Sequence, residues 1–247
     1  MKLFNLNFLP PPAQLASDEA VLDWCENGHG EETLLFWEPN ENFVVVGYAN
    51  KVNSEVNTAA CAAKGIPIFR RCSGGGTVLQ GPGCLNYSLI LRITDDGPLR
   101  NITSANQFIM ERNRAAIESL ADQFKTSNSK FKISVRGHTD LCLGNLKFSG
   151  NSQRRKKNFL LFHGSFLLNF DLALVGEFLR MPSLQPDYRA GRSHDDFLAN
   201  LNLPAGPVKA ALQKAWSANE NLENFPRLEF QKLAAEKYLT DAWNLKM

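Results

Sequence analysis

Residues 69–90, FRRCSGGGTVLQGPGCLNYSLI, place two arginines shortly before a serine and three consecutive glycines. Because glycine has no Cβ atom, the backbone N–H groups of such a loop can converge on phosphate or carboxylate oxygens. Guanidinium groups bind the same anions through paired hydrogen bonds. The spacing matches neither a Walker A loop nor a dinucleotide-binding fingerprint. The segment alone therefore predicts an anion site, with a flexible hairpin loop as the alternative.

A second candidate lies in residues 140–154, DLCLGNLKFSGNSQR, where Lys147 is followed by Phe-Ser-Gly. Successive side chains of a strand point to opposite faces, so Phe148 would face the core if Lys147 faced a cleft. Gly150 would then allow a ligand to approach the backbone closely. An ammonium group is a compact charge suited to a developing oxyanion or a phosphate. The alternative is a solvated surface lysine.

The third candidate is His163, which stands among apolar residues in FHGSFLLNFD. Such a histidine is either a satisfied core residue or part of a site. No neighbouring serine or cysteine gives a recognisable triad. Asp140 and Asp171 can each be a cap, a turn residue or a ligand, and the sequence does not choose among these roles.

These residues need a scaffold, and the apolar patterns predict strands in the middle of the chain with helices on both sides. Strands are expected over 33–37, 43–49, 66–72 and 85–93, followed by further strands between 130 and 170. Helices are expected over 17–28 with Ser17 as its cap, 53–65, 103–124, 206–218 and 230–244. This order predicts an α+β fold with a mixed, largely antiparallel sheet. We expect one domain over residues 1–247, with the helices of about 205–247 packed on it.

The composition restricts the class of protein. The net charge of +2 is far below the strong positive charge typical of nucleic-acid-binding proteins. No apolar run reaches the roughly 18 residues that a membrane-spanning helix needs. The N-terminus lacks a signal peptide. The five cysteines form no C-x-x-C pair, which argues against a disulfide framework or a zinc knuckle and favours the cytoplasm.

Taken in order, the three segments resemble the signatures of the lipoate-protein ligase A family, within the wider group of biotin/lipoate ligases and octanoyltransferases. The resemblance covers about residues 30–180. The matching positions are Arg70, Arg71, Ser73, Gly74, Gly75, Gly76, Val78, Gly83 and Asn86 in the first signature; Gly137, Asp140, Leu141, Lys147, Ser149 and Gly150 in the second; and His163, Gly164 and Leu167 in the third.

The resemblance implies a catalytic core akin to those of class II synthetases. Such a ligase joins lipoate or octanoate to ATP, releases pyrophosphate, and passes the acyl group from acyl-AMP to a lysine of a lipoyl domain or glycine-cleavage H protein. Lys147 would be the catalytic lysine, placed between the carboxylate and the α-phosphate, and it would later polarise the acyl carbonyl. Asp140 would orient the adenylate or a Mg²⁺ ion, and residues 44–47 would help to line the acyl tunnel. The resemblance assigns substrate or adenylate binding to Arg70, Arg71, Ser73, Gly74, Gly75, Gly76, Asn86, Asp140, Ser149, Gly150 and His163.

The chain departs from the family pattern at several positions. Gln80-Gly81 replaces a His-Asp pair, and Thr139 replaces an asparagine. The sequence also stops about where longer members begin an accessory domain, which suggests a single-domain transferase or a ligase with a separate partner chain.

Related octanoyltransferases carry the acyl group on a cysteine, either after the His-Gly segment or on a loop well before the lysine. Here no cysteine follows His163, and Cys142 lies only five positions before Lys147. Cys84 occupies a position in the first signature, where use as a small buried residue is the simpler interpretation. These observations favour an ATP-dependent ligase. The alternatives are an ATP-independent transferase between carrier proteins and a non-catalytic homologue that binds acyl groups or adenylates.

Overall fold

A computed structural model describes residues 1–6, 9–120 and 132–246. The strands are β1 Lys2–Leu6, β2 Thr33–Trp37, β3 Phe43–Val46, β4 Ile68–Arg70, β5 Val78–Gln80, β6 Cys84–Arg92, β7 Ile133–Arg136, β8 Asp140–Leu143, β9 Leu146–Arg155, β10 Phe159–Leu167 and β11 Glu220–Asn221. The α-helices are α1 Pro11–Glu26, α2 Val52–Glu55, α3 Thr58–Lys64, α4 Ile102–Glu118, α5 Ala173–Phe178, α6 His194–Phe197, α7 Ala205–Ala215, α8 Arg227–Leu233 and α9 Asp241–Asn244. A 3₁₀ turn covers Asp187–Arg189, and a π-helical turn, Ala234–Tyr238, continues α8.

The large sheet has the strand order β11-β1-β2-β6-β10-β9-β8-β7. Its pairs are antiparallel except β1 with β2 and β1 with β11, which are parallel. A smaller sheet, β4-β3-β5, carries the strand that leads into the glycine segment. The α+β fold with a mixed, largely antiparallel sheet is confirmed.

Both faces of the large sheet are covered, as the continuous apolar run of β6 indicates. Successive residues of β2 contribute to different clusters, because Leu34 and Phe36 join one core and Leu35 and Trp37 join another. The first core includes residues of α4 and α7, and the second includes residues of α1. A third apolar cluster lies between the small sheet, α3 and α5.

Helix α1 begins at Pro11, seven residues earlier than a cap at Ser17 predicts. Its first residues are Pro11 and Pro12, and a proline costs nothing at a position whose N–H has no intrahelical partner. Ser17 is therefore not the cap: it lies inside the helix, and its hydroxyl donates to the Gln14 carbonyl at 2.7 Å. The acids that follow Ser17 are consequently in the middle of a buried helix and not in its exposed first turn.

The single helix expected over 53–65 is two helices, α2 and α3. Between them, Val56 pairs with Leu179 as an isolated antiparallel bridge, and the Asn57 side chain accepts a hydrogen bond from Ala60 N at 3.3 Å. This tertiary pairing and the local cap outweigh the helical pattern of the segment. Helix α4 agrees with the sequence over most of its length, and residues 121–124 of the predicted helix lie outside the described residues.

The helices of the C-terminal part pack on the rest of the fold, α7 against α4 and α8 against α1. Within the ranges that the structure describes, no helix combines the length and the apolar character needed to cross a membrane.

Candidate active site

Lys147 lies on β9 at an irregular point of the sheet. Leu141 of β8 pairs with Ser149, but Cys142 pairs with Lys147, so Phe148 is an extra residue on β9. Phe148 is fully buried in the first core, while the Lys147 side chain keeps a quarter of its surface exposed and faces a cavity. The bulge thus positions a cation on the cavity wall directly beside a core residue.

The Lys147 ammonium is paired with Asp140. Its Nζ lies 2.8 Å from Asp140 Oδ1, and the hydroxyl of Tyr188 donates to Asp140 Oδ2 at 2.7 Å. Both carboxylate oxygens are therefore engaged. Burial, and then the negative Asp140, raise the pKa of Tyr188 well above its ordinary value, which keeps this hydroxyl a donor.

Gly150 makes room for this ion pair. A Cβ atom at position 150 would lie 2.8 Å from Lys147 Nζ and 2.9 Å from Lys147 Cε. The group that approaches the Gly150 backbone closely is therefore the Lys147 ammonium of the protein itself, where the sequence suggested a ligand. Ser149, between the two, is buried, and its hydroxyl accepts from Asn151 Nδ2 at 3.3 Å.

The glycine segment closes around the Arg71 side chain. Arg71 Nη2 donates to the carbonyls of Gly74 and Gly76, the latter at 2.8 Å, and Nε donates to Gly74 O at 3.1 Å. Burial lowers the pKa of Arg71 to about 10. Among the described residues no carboxylate lies within ion-pair distance of Arg71, so loop carbonyls, and not acids, accept its hydrogen bonds. Arg71, Gly75 and Gly76 line the cavity.

Arg70 has a different environment, because its side chain points away from the cavity into the protein. Five backbone carbonyls accept its hydrogen bonds, at distances of 2.7–3.1 Å, and they belong to Gly47, Tyr48, Asn50, Trp243 and Lys246. The residue is fully buried and does not line the cavity. Arg70 thus connects the C-terminal segment, at Trp243 and Lys246, to the loop after β3 by hydrogen bonds.

His163 connects the glycine segment to α1. Its Nε2 lies 2.5 Å from Ser73 Oγ, and its Nδ1 lies 2.6 Å from Asp18 Oδ2. Asp18 was missed in the sequence because Ser17 and the acids after it suggested a helix start. The three prolines at 10–12 were the available signal, since they move the helix start and leave an acid inside a buried helix.

Asn86 belongs to a closed ring of side chains in the cavity wall. Asn86 Nδ2 donates to Gln80 Oε1 at 3.0 Å, Gln80 Nε2 donates to Ser165 Oγ at 2.5 Å, and Ser165 Oγ donates to Asn86 Oδ1 at 2.5 Å. Each of these groups satisfies a neighbour, so the ring fixes the shape of this wall.

The cavity measures about 860 Å³. It combines the polar groups described above with apolar side chains, as binding sites for amphipathic small molecules do. Of residues 44–47, which were expected to line the acyl tunnel, only Val45 lines the cavity. Val44 and Val46 belong to the third apolar cluster. The cavity is lined on its apolar side by Leu15, Trp37, Val45, Val78, Leu79, Leu167, Val175 and Leu179.

We call the side of the cavity formed by Arg71, Gly75 and Gly76 the loop wall, and the side formed by Asp140, Lys147 and Gly150 the lysine wall. The two walls meet on β9. Ser152 Oγ donates to Gly74 O at 2.9 Å, two residues beyond Gly150 on the same strand. The three signature segments, which are separate in the sequence, therefore lie together around one cavity. Residues 10–214 match the family model of the lipoyl protein ligase A/B catalytic domain. The chain belongs to this family.

Two curated relatives carry different activities in their names. The octanoyltransferase LipM of Geobacillus kaustophilus is 27% identical over 273 residues, which cover 99% of this chain and 98% of the relative. Lipoate–protein ligase 1 of Staphylococcus aureus is 28% identical over 252 residues, covering 97% of this chain and 71% of the relative.

A solved structure shows the same fold. It comes from a study of an archaeal lipoylation system, a bi-partite lipoate protein ligase and its E2 lipoyl domain from Thermoplasma acidophilum. The TM-score is 0.79 at 23% identity, and the match covers 99% of this chain and 95% of that one.

The departure from the family pattern at Gln80-Gly81 has a structural reason. A Cβ atom at position 81 would lie 1.8 Å from Asn42 Oδ1 and 2.9 Å from Phe170 Cε2. An aspartate therefore does not fit at this position while Asn42 occupies its present place. Gln80, in turn, supplies both a donor and an acceptor to the ring with Asn86 and Ser165.

The five cysteines all fall in the described ranges, and all are buried and absent from the cavity lining. Burial raises the pKa of Cys84 to about 12 and also raises the pKa of Cys142. Cys142 Sγ lies 3.5 Å from the Tyr188 hydroxyl, behind the Asp140–Lys147 pair. In this arrangement the thiols are protonated and shielded, which is unfavourable for nucleophiles.

Proposed function

We propose that this chain is an ATP-dependent lipoate– or octanoate–protein ligase. The observation that carries the proposal is the Lys147 ammonium, held by Asp140 on the wall of a cavity that also contains the glycine segment and an apolar surface. The apolar side suits an aliphatic chain, and the fixed cation suits its carboxylate head.

In the first half-reaction, a carboxylate oxygen of the acid forms a bond to the α-phosphorus of ATP. The bond from that phosphorus to the bridging oxygen breaks, and pyrophosphate leaves with the electron pair. Two anions approach each other in this step, so a cation fixed beforehand at their junction lowers the barrier. Lys147 is the candidate for this role.

In the second half-reaction, the amine of an acceptor lysine attacks the acyl carbonyl carbon. The bond to the AMP oxygen breaks, AMP leaves with the electron pair, and the attacking nitrogen releases a proton as the amide forms. Lys147 would stabilise the negative charge that develops on the carbonyl oxygen. The acceptor that we propose is a lipoyl domain or an H protein, in keeping with the lipoyl domain studied with the archaeal ligase.

Mg²⁺ is proposed as the counterion that arrives with ATP. Among the described residues, no group of three or more His, Cys, Asp or Glu side chains could hold a metal ion. Mg²⁺ typically keeps several waters and uses substrate phosphates with one or two carboxylates, a demand that Asp140 alone could meet. Each Asp140 oxygen already has one partner, Lys147 or Tyr188, and would share its second lone pair with the metal ion.

The test is ATP–pyrophosphate exchange in the presence of lipoate, octanoate or biotin. We expect exchange with lipoate or octanoate, and its loss in Lys147→Ala. Lys157→Ala is the matched control, because Lys157 is an exposed lysine on the turn after β9. Exchange that persists in Lys147→Ala would remove this lysine from its role. Absence of exchange in the wild type, with and without an added accessory chain, would contradict the ligase proposal.

An ATP-independent transferase is the second candidate, favoured by the near full-length similarity to an octanoyltransferase. The burial of every cysteine is evidence against a thioester on this chain. Octanoyl or lipoyl transfer from an acylated H protein to an apo lipoyl domain, with ATP withheld, would support the transferase. No transfer under these conditions would exclude it.

A non-catalytic homologue is the third candidate, motivated by the replaced His-Asp pair. Mass spectrometry of the protein incubated with ATP and lipoate decides the matter, because lipoyl-AMP in the reaction excludes a purely binding role. A separate accessory chain remains part of the ligase proposal, since the archaeal ligase of the same fold is bi-partite.

A further inference from the structure

A buried chain of hydrogen bonds runs from α1 through β10 to the start of the glycine segment. We call it the relay and define it as Asp18, His163 and Ser73. Asp18 Oδ2 lies 2.6 Å from His163 Nδ1, and His163 Nε2 lies 2.5 Å from Ser73 Oγ. The three side chains are 2%, 9% and 1% exposed as residues, so water contributes little to their solvation.

The surrounding partners satisfy every group of the relay when the Nδ1–H tautomer of His163 is assigned. Arg71 Nε donates to Ser73 Oγ at 3.1 Å, which leaves the Ser73 hydroxyl proton available for His163 Nε2. A neutral His163 then carries its proton on Nδ1 and donates it to Asp18. The other Asp18 oxygen accepts from Ser88 Oγ at 2.6 Å. Every donor in the relay therefore has an acceptor, with Asp18 at its end.

Asp18 and His163 themselves line the cavity, and the relay is connected to the glycine segment through Arg71. The guanidinium that donates to Ser73 also donates to the Gly74 and Gly76 carbonyls. Because Arg71 has no carboxylate in ion-pair range among the described residues, Ser73 and the loop carbonyls define its position. A shift of Ser73 would therefore move Arg71 and the glycine segment together.

The geometry argues against Ser73 as a nucleophile, although Ser, His and Asp are aligned as in hydrolases. Ser73 is almost fully buried and is absent from the cavity lining, whereas Arg71, Gly75 and Gly76 face the cavity. A nucleophile must reach the substrate carbonyl, and the buried Ser73 hydroxyl does not face the cavity.

We propose that Asp18 is a positioning residue, which acts through His163 and Ser73 to hold Arg71 and the glycine segment in the shape that receives the substrate carboxylate. A buried carboxylate is costly, and an apolar side chain would pack α1 against β6 and β10 without that cost. The identity of the ligand rests on the proposed function, but the effect of Asp18 on the loop does not.

The first test uses hydrogen–deuterium exchange of the ligand-free protein. Asp18→Asn keeps the size of the side chain but removes its charge and replaces one of the two acceptor oxygens by an NH₂ donor, so the side chain can no longer accept from both Ser88 and His163. We expect faster exchange in peptides covering residues 72–79. Ser17→Ala is the matched control, because Ser17 is the preceding buried residue of α1 and bonds only to Gln14 of its own helix. Unchanged loop exchange in Asp18→Asn would overturn the proposal, as would an equal effect of Ser17→Ala.

The second test measures lipoate affinity by calorimetry, together with kcat and KM. In Asp18→Asn we expect lipoate binding to weaken about tenfold and KM for lipoate to rise with it, while kcat stays within about twofold. A general loss of folded protein would instead lower kcat and leave KM unchanged.

A double-mutant cycle shows whether Asp18 affects lipoate affinity through Ser73 or by direct contact with the ligand. If Asp18 acts through Ser73, Asp18→Asn has little further effect on affinity in a Ser73→Ala protein. An equal loss of affinity in both backgrounds would overturn the proposal, and so would an acyl ester on Ser73 found by intact-mass analysis. If neither lipoate nor octanoate binds the wild type, the proposed function fails, and the hydrogen–deuterium exchange experiment still decides the role of Asp18.

Discussion

The two walls of the cavity use their cations in opposite ways. On the lysine wall, Lys147 has a single anionic partner and a quarter of its side chain exposed, so its charge faces the cavity. On the loop wall, Arg71 donates mainly to backbone carbonyls. Its chain neighbour Arg70 lies outside the cavity and also donates to backbone carbonyls, so the hydrogen bonds of both arginines are used within the protein.

This difference shows that a motif rich in cations does not by itself measure the positive charge offered to a ligand. A guanidinium has five donors in a rigid plane and suits the task of holding several carbonyls. An ammonium on a flexible stem keeps donors free for a reacting group. The lysine wall supplies charge, and the loop wall mainly supplies shape.

The largest expected effect is on the lysine wall. Lys147→Ala should lower acyl-AMP formation about a thousandfold, because it removes the fixed cation at the junction of two anions. The melting temperature should change little, since the lost ion pair is partly exposed. The readout is single-turnover formation of acyl-AMP, and a variant that retains more than about a tenth of wild-type activity would contradict the distinction between the walls.

Arg70, which lies outside the cavity next to the loop wall, should affect stability instead. Arg70→Ala leaves five buried or partly buried carbonyls without their donor, and we expect the free energy of unfolding to fall by about 3 kcal/mol. Urea unfolding measures this, with Lys157→Ala as the control. A loss below about 1 kcal/mol would show that Arg70 does not anchor the C-terminal segment.

Gly150 tests how accurately the lysine wall must be placed. In Gly150→Ala the new methyl group would lie 2.8 Å from Lys147 Nζ, so the ammonium has to move. We expect acyl-AMP formation to fall about a hundredfold with only a small change in stability.

Gly176→Ala in α5 is the matched control for Gly150→Ala. Nothing lies within 4 Å of a Cβ atom at this position. Its activity should be unchanged and its stability equal or slightly higher. Equal behaviour of the two variants would mean that the position of the ammonium group is not critical.

The smallest effect is expected at the cysteines, which neither wall uses. Burial raises the pKa of Cys84 to about 12 from an ordinary value of 9.0, so at pH 8.5 its thiol stays protonated in the native protein. Iodoacetamide should leave native Cys84 unmodified at pH 8.5 and label it after unfolding.

The same shift makes stability depend on pH in one direction. The contribution of Cys84 is fully present below pH 9 and is lost as the pH rises towards 12, because only the unfolded thiol ionises there. Cys84→Ser should retain acyl transfer. Fast labelling of the native protein, or loss of transfer in this variant, would return a thioester mechanism to consideration.

Much of the fold was predictable because it depends on local patterns. The apolar run of β6, the short strand β2 and the helix α4 follow from periodicity, and Gly65 ends α3 as expected. The helix boundaries that were predicted wrongly depend on residues distant in the sequence. One example is the pairing of Val56 with Leu179, which divides one predicted helix into two.

The sequence by itself determined the family, the mixed sheet and the candidate lysine, because three signatures with fixed internal spacing suffice for these. Only the tertiary structure decided what each charged group does. Arg70 and Arg71 are neighbours in the chain, yet adjacent residues of an extended segment point to opposite sides, so one enters the protein interior and the other enters the loop. Asp18 reached its place beside His163 only because α1 packs across β6 and β10, a contact between residues 145 positions apart that no local pattern contains.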